Sequence, residues 1–195
     1  KNKTSFLKTK IISLKSGDHY FLSGSTGSGK TTLIEKIISI RESKFKFNIF
    51  EKNKFISISN IKNYCSYVPQ SSQIINNSII FNITLTKNIK KIDQKCLNEA
   101  LDICDIKPLF KKFKNGINEN LGEKGKKLSG GEIQRICIAR ALYFKRNILI
   151  LDESTSGLNQ KLETKILKKI KLIYKQKIII LISHNKNLKK YCNKE

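Results

Sequence analysis

A glycine-rich segment between two short apolar stretches limits the folds open to this chain more than any other feature. Residues 24–31 read Gly-Ser-Thr-Gly-Ser-Gly-Lys-Thr and fit the pattern G-x-x-x-x-G-K-[ST]. A predicted strand, His19 to Ser23, precedes the segment. The apolar residues after it recur on one face of a predicted helix: Leu33, Ile34, Ile37 and Ile38. Strand, glycine turn and helix in this order predict a phosphate-binding loop.

The residue types of this loop suit the binding of a nucleotide. Glycines let the backbone turn its N–H groups towards phosphates, and the next helix adds its positive N-terminal end. We expect Lys30 to reach the β- and γ-phosphates and the Thr31 hydroxyl to bind Mg²⁺. The candidate phosphate-binding residues are Gly24, Ser25, Thr26, Gly27, Ser28, Gly29, Lys30, Thr31 and Thr32.

Two carboxylates follow a second apolar stretch. Ile148 to Leu151 is a continuous apolar run, typical of a strand buried on both faces, and Asp152 and Glu153 come directly after it. Asp152 suits a carboxylate associated with Mg²⁺. Glu153 is a candidate to polarise an attacking water, which hydrolysis requires.

The order of the predicted elements favours an α/β domain. Another apolar run, Ile178 to Ile182, predicts a further buried strand. Between the two runs the residues Leu162, Ile166, Ile170 and Ile173 recur at helical spacing. Strand, helix and strand in succession predict a mainly parallel central sheet. From about residue 98 to 145 the periodicity is helical, most clearly from Glu99 to Cys104 and from Ile133 to Leu142. We therefore expect a helical subdomain inserted between the strands.

A second candidate anion site lies in this helical part. Residues 128–135 read Leu-Ser-Gly-Gly-Glu-Ile-Gln-Arg, and Ser129 with Glu132 fits the S-x-x-E capping box of a helix start. Gly130 and Gly131 leave backbone N–H groups open at that helix start. A chain rarely needs two γ-phosphate sites, so we expect each copy to complete the site of another copy.

Together these motifs resemble the nucleotide-binding domain of ATP-binding cassette (ABC) proteins. The same order of motifs continues with Tyr67 to Gln70 as the Q-loop, Ser156 to Asn159 as the D-loop, and Ser183-His184 as the switch histidine. The resemblance covers nearly the whole chain. It implies the fold of a P-loop NTPase with a mainly parallel central sheet and an inserted helical subdomain that carries the signature, residues 128–135.

The resemblance also implies a reaction and its partners. ATP would lie between the phosphate loop of one domain and Ser129, Gly130 and Gly131 of a second domain, with Glu132 in the same signature. Gln70 would join Thr31 and Asp152 around Mg²⁺, Glu153 would be the catalytic base, and His184 would hold the γ-phosphate beside Lys30. In the D-loop, Ser156 follows the pattern, whereas Asn159 stands where the family usually has Asp.

Two further segments resemble exporters within that family. Residues 74–83 match a stretch that follows the Q-loop, and residues 120–125 match an element that touches the transmembrane half of the partner. The chain contains no methionine, and we expect it to be one domain, residues 1–195, trimmed at both ends. Residues 1–85 and 146–195 would form its catalytic core and 86–145 its helical subdomain.

No apolar run of this chain approaches the roughly 20 residues that cross a bilayer. The resemblance to exporters implies a transmembrane domain, which we expect to be fused upstream of residue 1. The nucleotide-binding domain formed by this chain would work as a homodimer at the cytoplasmic face of the plasma or inner membrane. There it would power the export or flipping of lipids, lipid-linked sugars or peptides.

Charge and cysteine usage leave one alternative open. The net charge of +24 would suit a soluble ABC-type ATPase that acts on nucleic acid or ribosomes. However, the cations are scattered along the chain, and the heavy use of Lys, Ile and Asn fits A/T-rich codons, so we do not expect a nucleic-acid partner. The cysteines form no C-x-x-C pair, and we expect them to be reduced, in a cytosolic setting: Cys65, Cys96, Cys104, Cys137 and Cys192.

Overall fold

The computed structural model describes residues 14–25, 27–38, 47–51, 54–58 and 61–195. Its strands are β1 (His19–Leu22), β2 (Phe47–Glu51), β3 (Lys54–Ile58), β4 (Cys65–Val68), β5 (Ile148–Asp152) and β6 (Ile178–Ile182). Its α-helices are α1 (Lys30–Ile37), α2 (Ile79–Thr84), α3 (Gln94–Ile103), α4 (Gly130–Tyr143) and α5 (Gln160–Ile173). This order of strands and helices confirms the predicted α/β class.

A parallel four-stranded sheet with the order β1-β6-β5-β4 forms the centre of the fold. All three pairings in this sheet are parallel. Every residue of β5 is buried, as the continuous apolar run predicted. Because the strands are parallel, their carboxyl ends meet at one edge, where the candidate site residues follow β1, β4, β5 and β6.

Helices cover both faces of this sheet. Neighbouring residues of a strand point to opposite faces, so they pack against different helices. Ile148 and Ile150 of β5 pack in a cluster with Ile34 of α1. Leu149 and Leu151 belong to the larger cluster, which includes α3, α4 and α5. Burial of Ile34 and Ile38 confirms the predicted inner face of α1, while the side chain of Ile37 lies outside the described residues.

The helical layer differs from the prediction in three places. A short helix that was not predicted, α2, packs against α4. Residues 107–125 form only short 3-10 turns, at Lys107–Lys112, Gly116–Asn118 and Glu123–Gly125, so α-helix is limited to α3 and α4 in the stretch where we expected helix throughout. The inner face of α5 ends on Tyr174, which is buried, whereas Ile173 is 37% exposed.

The Lys/Asn-rich segment before β4 contains β2 and β3, which pair with each other antiparallel. This two-stranded sheet was not predicted. Within the described part of the chain, the structure contains no helix that is long and apolar enough to cross a membrane.

Candidate nucleotide site

The phosphate loop leads from β1 to α1, as its sequence predicted. Lys30, the first residue of α1, extends its ammonium group back over the loop and donates hydrogen bonds to the carbonyl oxygens of Gly24, at 2.8 Å, and Ser25, at 3.0 Å. Gly27 and Gly29 have φ angles of +80° and +87°, a left-handed conformation that favours glycine. The glycines therefore shape the turn that places Lys30 at its centre. Thr26 lies outside the described residues.

Three oxygen atoms from separate elements meet at the end of β5. The Thr31 hydroxyl donates a hydrogen bond to Oδ2 of Asp152 at 2.8 Å, and the Tyr67 hydroxyl donates to the same oxygen at 3.2 Å. Asp152 is 1% exposed. Burial, reinforced by the negative charge of Asp152, raises the pKa of the Tyr67 phenol. The phenol therefore stays protonated and holds the carboxylate in place.

The donor set around Asp152 fits Mg²⁺. This ion prefers oxygen ligands and usually takes one or two carboxylates together with substrate phosphates, and Thr31 and Asp152 offer a hydroxyl and a carboxylate side by side. In the described ranges no three His, Cys, Asp or Glu side chains group together as in an all-protein metal cage. Gln70 is exposed and follows β4 by two residues, at the sheet edge shared with Asp152, because Val68 is aligned with Leu151.

Glu153 and His184 lie next to each other, although they follow different strands. The last residues of these strands, Asp152 of β5 and Ile182 of β6, are 30 positions apart in the sequence. His184 Nε2 lies 2.9 Å from Oε1 of Glu153. The pair forms because β5 and β6 are neighbours and each residue follows one of them. Glu153 has a φ of +46°, a conformation that costs a non-glycine residue about 1–3 kcal/mol. Its own N–H donates to Ile182 O at 3.0 Å, which anchors the turn to β6.

The switch histidine also lies beside the phosphate loop. His184 and Ser183 line a pocket together with Ser23, Gly24 and Ser25. A base candidate, a histidine and the phosphate loop thus share one edge of the sheet, as the resemblance implied.

The signature begins α4 in the predicted way. Ser129 Oγ accepts a hydrogen bond from the Glu132 N–H at 3.3 Å, and Oε2 of Glu132 accepts from the Ser129 N–H at 2.8 Å, which confirms the capping box. Lys112 also binds Glu132, at 2.5 Å. Burial opposes ionisation of Glu132, but the bonds from Lys112 and Ser129 outweigh it and lower the pKa of the carboxyl. Glu132 therefore serves the helix start, and Ser129 and Gly130 are exposed beside it.

In the D-loop, Asn159 has a structural role that the sequence analysis missed. Its Oδ1 accepts a hydrogen bond from the Leu162 N–H at 2.9 Å, so Asn159 caps the N-terminus of α5. Asn and Asp are equally good at this position. The replacement of the usual Asp therefore leaves the helix start intact. Ser156 is exposed on the same loop.

The two exporter-like segments lie against each other. The Ile79 N–H donates to Glu119 O at 3.2 Å, and the Leu121 N–H donates to Asn77 O at 3.1 Å. A Cβ atom on Gly125 would lie 3.2 Å from Cγ1 of Ile74, which shows how closely the segments pack. Residues 74–78 and 119–125 therefore form one surface, a contact that their separate sequence patterns do not predict.

Asn82 and Arg140 fix this surface to α4. Asn82 belongs to the exporter-like segment of residues 74–83, but neither its structural role nor that of Arg140 was predicted. Asn82 is fully buried, and its side chain pairs with both backbone groups of Ile75, accepting from N–H at 2.8 Å and donating to O at 2.9 Å. Arg140 donates to Asn82 O at 2.6 Å and to Gln73 O at 3.2 Å. An Asn inside an apolar helical run is the one local signal that could have indicated this role.

Comparison with known proteins agrees with the geometry. The family model described as ABC transporter matches residues 7–156. A predicted export ATP-binding/permease protein of Rickettsia prowazekii (strain Madrid E) is 39% identical over 177 residues, which cover 89% of this chain and 30% of that protein. The ATP-dependent lipid A-core flippase of Wigglesworthia glossinidia brevipalpis is 37% identical over 182 residues, 91% of this chain and 31% of that protein.

A solved structure is similar in fold as well. A bacterial Atm1-family ABC exporter with ATP bound superposes with a TM-score of 0.76 at 26% identity, over 89% of this chain and 30% of that chain. The chain thus spans about 30% of the length of the relatives it matches. ATP-binding domains of this family are ATPases, so the predicted enzyme class and the predicted P-loop fold are both confirmed. The family model matches most of the length of this chain, residues 7–156, which shows that the chain belongs to the ABC transporter family.

Proposed function

We propose that this chain is the ATP-hydrolysing motor domain of an ABC exporter. The observation that carries the proposal is the pair formed by Glu153 and His184, 2.9 Å apart, at the sheet edge where Thr31 bonds to Asp152. Hydrolysis needs a base, a group that orients it and a phosphate cradle within reach of one another, and this edge offers all three.

Each residue of the edge has a role in this reaction. Glu153 takes the proton of the attacking water. His184 orients the Glu153 carboxylate towards that water and contacts the γ-phosphate. Lys30 exchanges its loop carbonyls for the β- and γ-phosphates. Thr31, Asp152 and Gln70 would hold Mg²⁺, which neutralises phosphate charge when it is bound.

A second copy of the domain completes the site. Ser129 accepts a hydrogen bond from the N–H of Glu132. Gly130, which is exposed, and Gly131 lie in the first turn of α4, where N–H groups attract anions. In a head-to-tail homodimer, this turn of one copy faces the phosphate loop of the other. Closure on ATP and release after hydrolysis would then move the two domains as rigid bodies.

A transmembrane domain on the same polypeptide would receive this motion. The relatives are about three times longer than this chain and include export and flippase proteins, which supports a fused membrane domain and a position at the cytoplasmic face of a membrane. Its docking site would be the surface of residues 74–78 and 119–125. We also propose that the chain divides into a catalytic core and a helical part. The core comprises residues 1–85 and 146–195, and the helical part comprises residues 86–145. The names of the relatives favour a transporter over a soluble ATPase that acts on nucleic acid or ribosomes.

Complementation between two inactive variants tests the shared site. In the full-length protein, Lys30→Ala removes the phosphate ligand of one copy, and Ser129→Arg blocks the signature of the other. Each variant alone should lose ATPase activity. Co-expressed with different tags and purified as mixed dimers, they should regain part of it, because one of the two composite sites is then intact.

The matched control pairs Lys30→Ala with Glu153→Gln. Both changes damage the site formed by their own phosphate loop, so a mixed dimer has no intact site and should stay inactive, although Glu153→Gln still binds ATP. Mixed Lys30→Ala and Ser129→Arg dimers as inactive as this control would contradict the head-to-tail arrangement.

A further inference from the structure

The first turn of the signature helix packs directly on the D-loop of the same chain. Oε1 of Gln134 accepts a hydrogen bond from the Gly157 N–H at 2.9 Å. One helical turn earlier, a Cβ atom on Gly131 would lie 2.9 Å from Gly157 O and 3.5 Å from Leu158 Cδ2. The two backbones are therefore as close as the absence of a side chain on Gly131 allows.

Other contacts fix the D-loop at its two ends. The Ser156 N–H donates to Glu153 O at 3.2 Å, which ties the loop to the residue proposed as base. At the other end, Asn159 caps α5. Between these ends the loop is exposed at Ser156 and Gly157, and the bond from Gly157 to Gln134 connects this exposed part to α4.

We propose that Gln134 is a positioning residue, which holds the D-loop and the signature as one unit so that both reach the partner's nucleotide together. This inference rests on the proposed head-to-tail dimer. In the proposed dimer Gln134 touches neither substrate nor metal. It acts through Gly157 and through the first turn of α4, which Ser129, Gly130 and Gly131 form.

The role predicts which kinetic parameter changes. Lys30 and Thr31 bind the nucleotide on their own chain, so loss of the Gln134 bond should leave the affinity for ATP unchanged. In the proposed dimer, hydrolysis in one copy needs the signature of the other copy in place, and the Gln134 bond fixes that signature to the D-loop, so kcat should fall. A loss that appears in kcat and not in KM marks a contact used in the transition state.

The test uses the full-length protein in lipid nanodiscs, with Gln134→Leu to remove the acceptor and Gln134→Glu to keep it. Loss of one neutral hydrogen bond predicts a kcat about tenfold lower for Gln134→Leu, with KM for ATP within about twofold of the parent. Gln134→Glu should restore kcat to within about threefold of the parent. The control is Gln94→Leu, the same change at an exposed position of α3, which should match the parent.

Thermal unfolding separates this role from a general loss of structure, because Gln134→Leu should unfold within a few degrees of Gln94→Leu. Unchanged kcat in Gln134→Leu, or equal losses in Gln134→Leu and Gln134→Glu, would overturn the inference. A parent protein without ATPase activity, or one whose activity survives Lys30→Ala, would instead overturn the proposed function.

Discussion

Gly130 and Gly131 are adjacent in the first turn of α4, yet their surroundings differ. A Cβ atom on Gly130 would meet nothing within 4 Å, whereas one on Gly131 would lie 2.9 Å from the backbone oxygen of Gly157. A backbone oxygen cannot move aside as a flexible side chain can. Gly131 is therefore required by packing within its own chain, independently of any contact with ATP.

This difference predicts opposite effects on stability. Gly131→Ala should destabilise the fold by about 1–3 kcal/mol, the usual cost of overpacking. Gly130→Ala should be neutral or stabilise it by up to about 1 kcal/mol, because alanine favours helix over glycine. Thermal unfolding of the two purified variants without nucleotide measures the difference. Equal melting temperatures would contradict the close contact between Gly131 and Gly157.

The residues of the candidate site were mostly visible in the sequence. Lys30, Thr31, Asp152 and Glu153 stand at fixed spacings next to predicted strands, and the structure places them at one edge of the sheet. Tyr67 was noticed only as part of the Q-loop. Its bond to Asp152 could not be predicted, because it depends on which strand lies beside β5.

At the scale of elements, α2 connects the proposed docking surface to the signature helix. α2 has only six residues, which are too few to form a stable helix alone. Its packing on α4 and the bonds of Asn82 to Ile75 and Arg140 compensate for this. The position of residues 74–78 therefore depends on this buried amide as well as on the backbone bonds to residues 119–121.

Asn82→Leu tests this dependence with a side chain of similar size. It would remove the hydrogen bonds of the buried Asn82 amide to the N–H and C=O of Ile75 and to Arg140, and each lost bond costs about 1 kcal/mol. We expect the free energy of unfolding to fall by about 3 kcal/mol in a urea titration. Asn98→Leu, the same change at an exposed position of α3, serves as the control, and equal midpoints for the two variants would contradict the role of Asn82.

Strands and helices were predicted correctly where the sequence has a continuous apolar run or a clear helix cap. They were missed where the apolar pattern is short or interrupted. β5 and β6 were predicted from apolar runs, and the start of α4 from its capping box. The hairpin of β2 and β3 lies in a segment rich in Lys and Asn, whose composition indicates surface exposure. The 3-10 turns between α3 and α4 contain Pro108, Gly116 and Gly125, which interrupt an otherwise helical periodicity.

At the scale of the whole molecule, charge and membrane attachment lead to separate expectations. The net charge of +24 would bind any polyanion at low salt, so it does not by itself indicate a nucleic-acid partner. The relatives, of which this chain spans about 30%, favour membrane attachment through a fused domain.

Extraction of native membranes with alkaline carbonate tests that attachment. An antibody against this domain should detect an antigen that stays with the membrane pellet and has a mass well above 22.4 kDa. Fused transmembrane helices resist this treatment, because their apolar surface stays in the bilayer. A peripheral protein of known behaviour is the control, and release of the antigen together with it would exclude a fused membrane domain.

The sequence by itself determined the features that depend on neighbours within a few positions. The turn of residues 24–31, the cap formed by Ser129 and Glu132, and the buried strands β5 and β6 all follow from local backbone geometry and from apolar spacing. The motifs built from these local features were enough to predict the family and the P-loop fold, and they also named most of the candidate site residues.

Only the tertiary structure decided which distant residues touch. The strand order β1-β6-β5-β4 differs from the order along the chain, and it brings His184 to Glu153 and Tyr67 to Asp152. The contact between Gln134 and Gly157 likewise requires α4 to pack beside the turn after β5. Such contacts depend on how whole layers pack, and no local pattern contains that information.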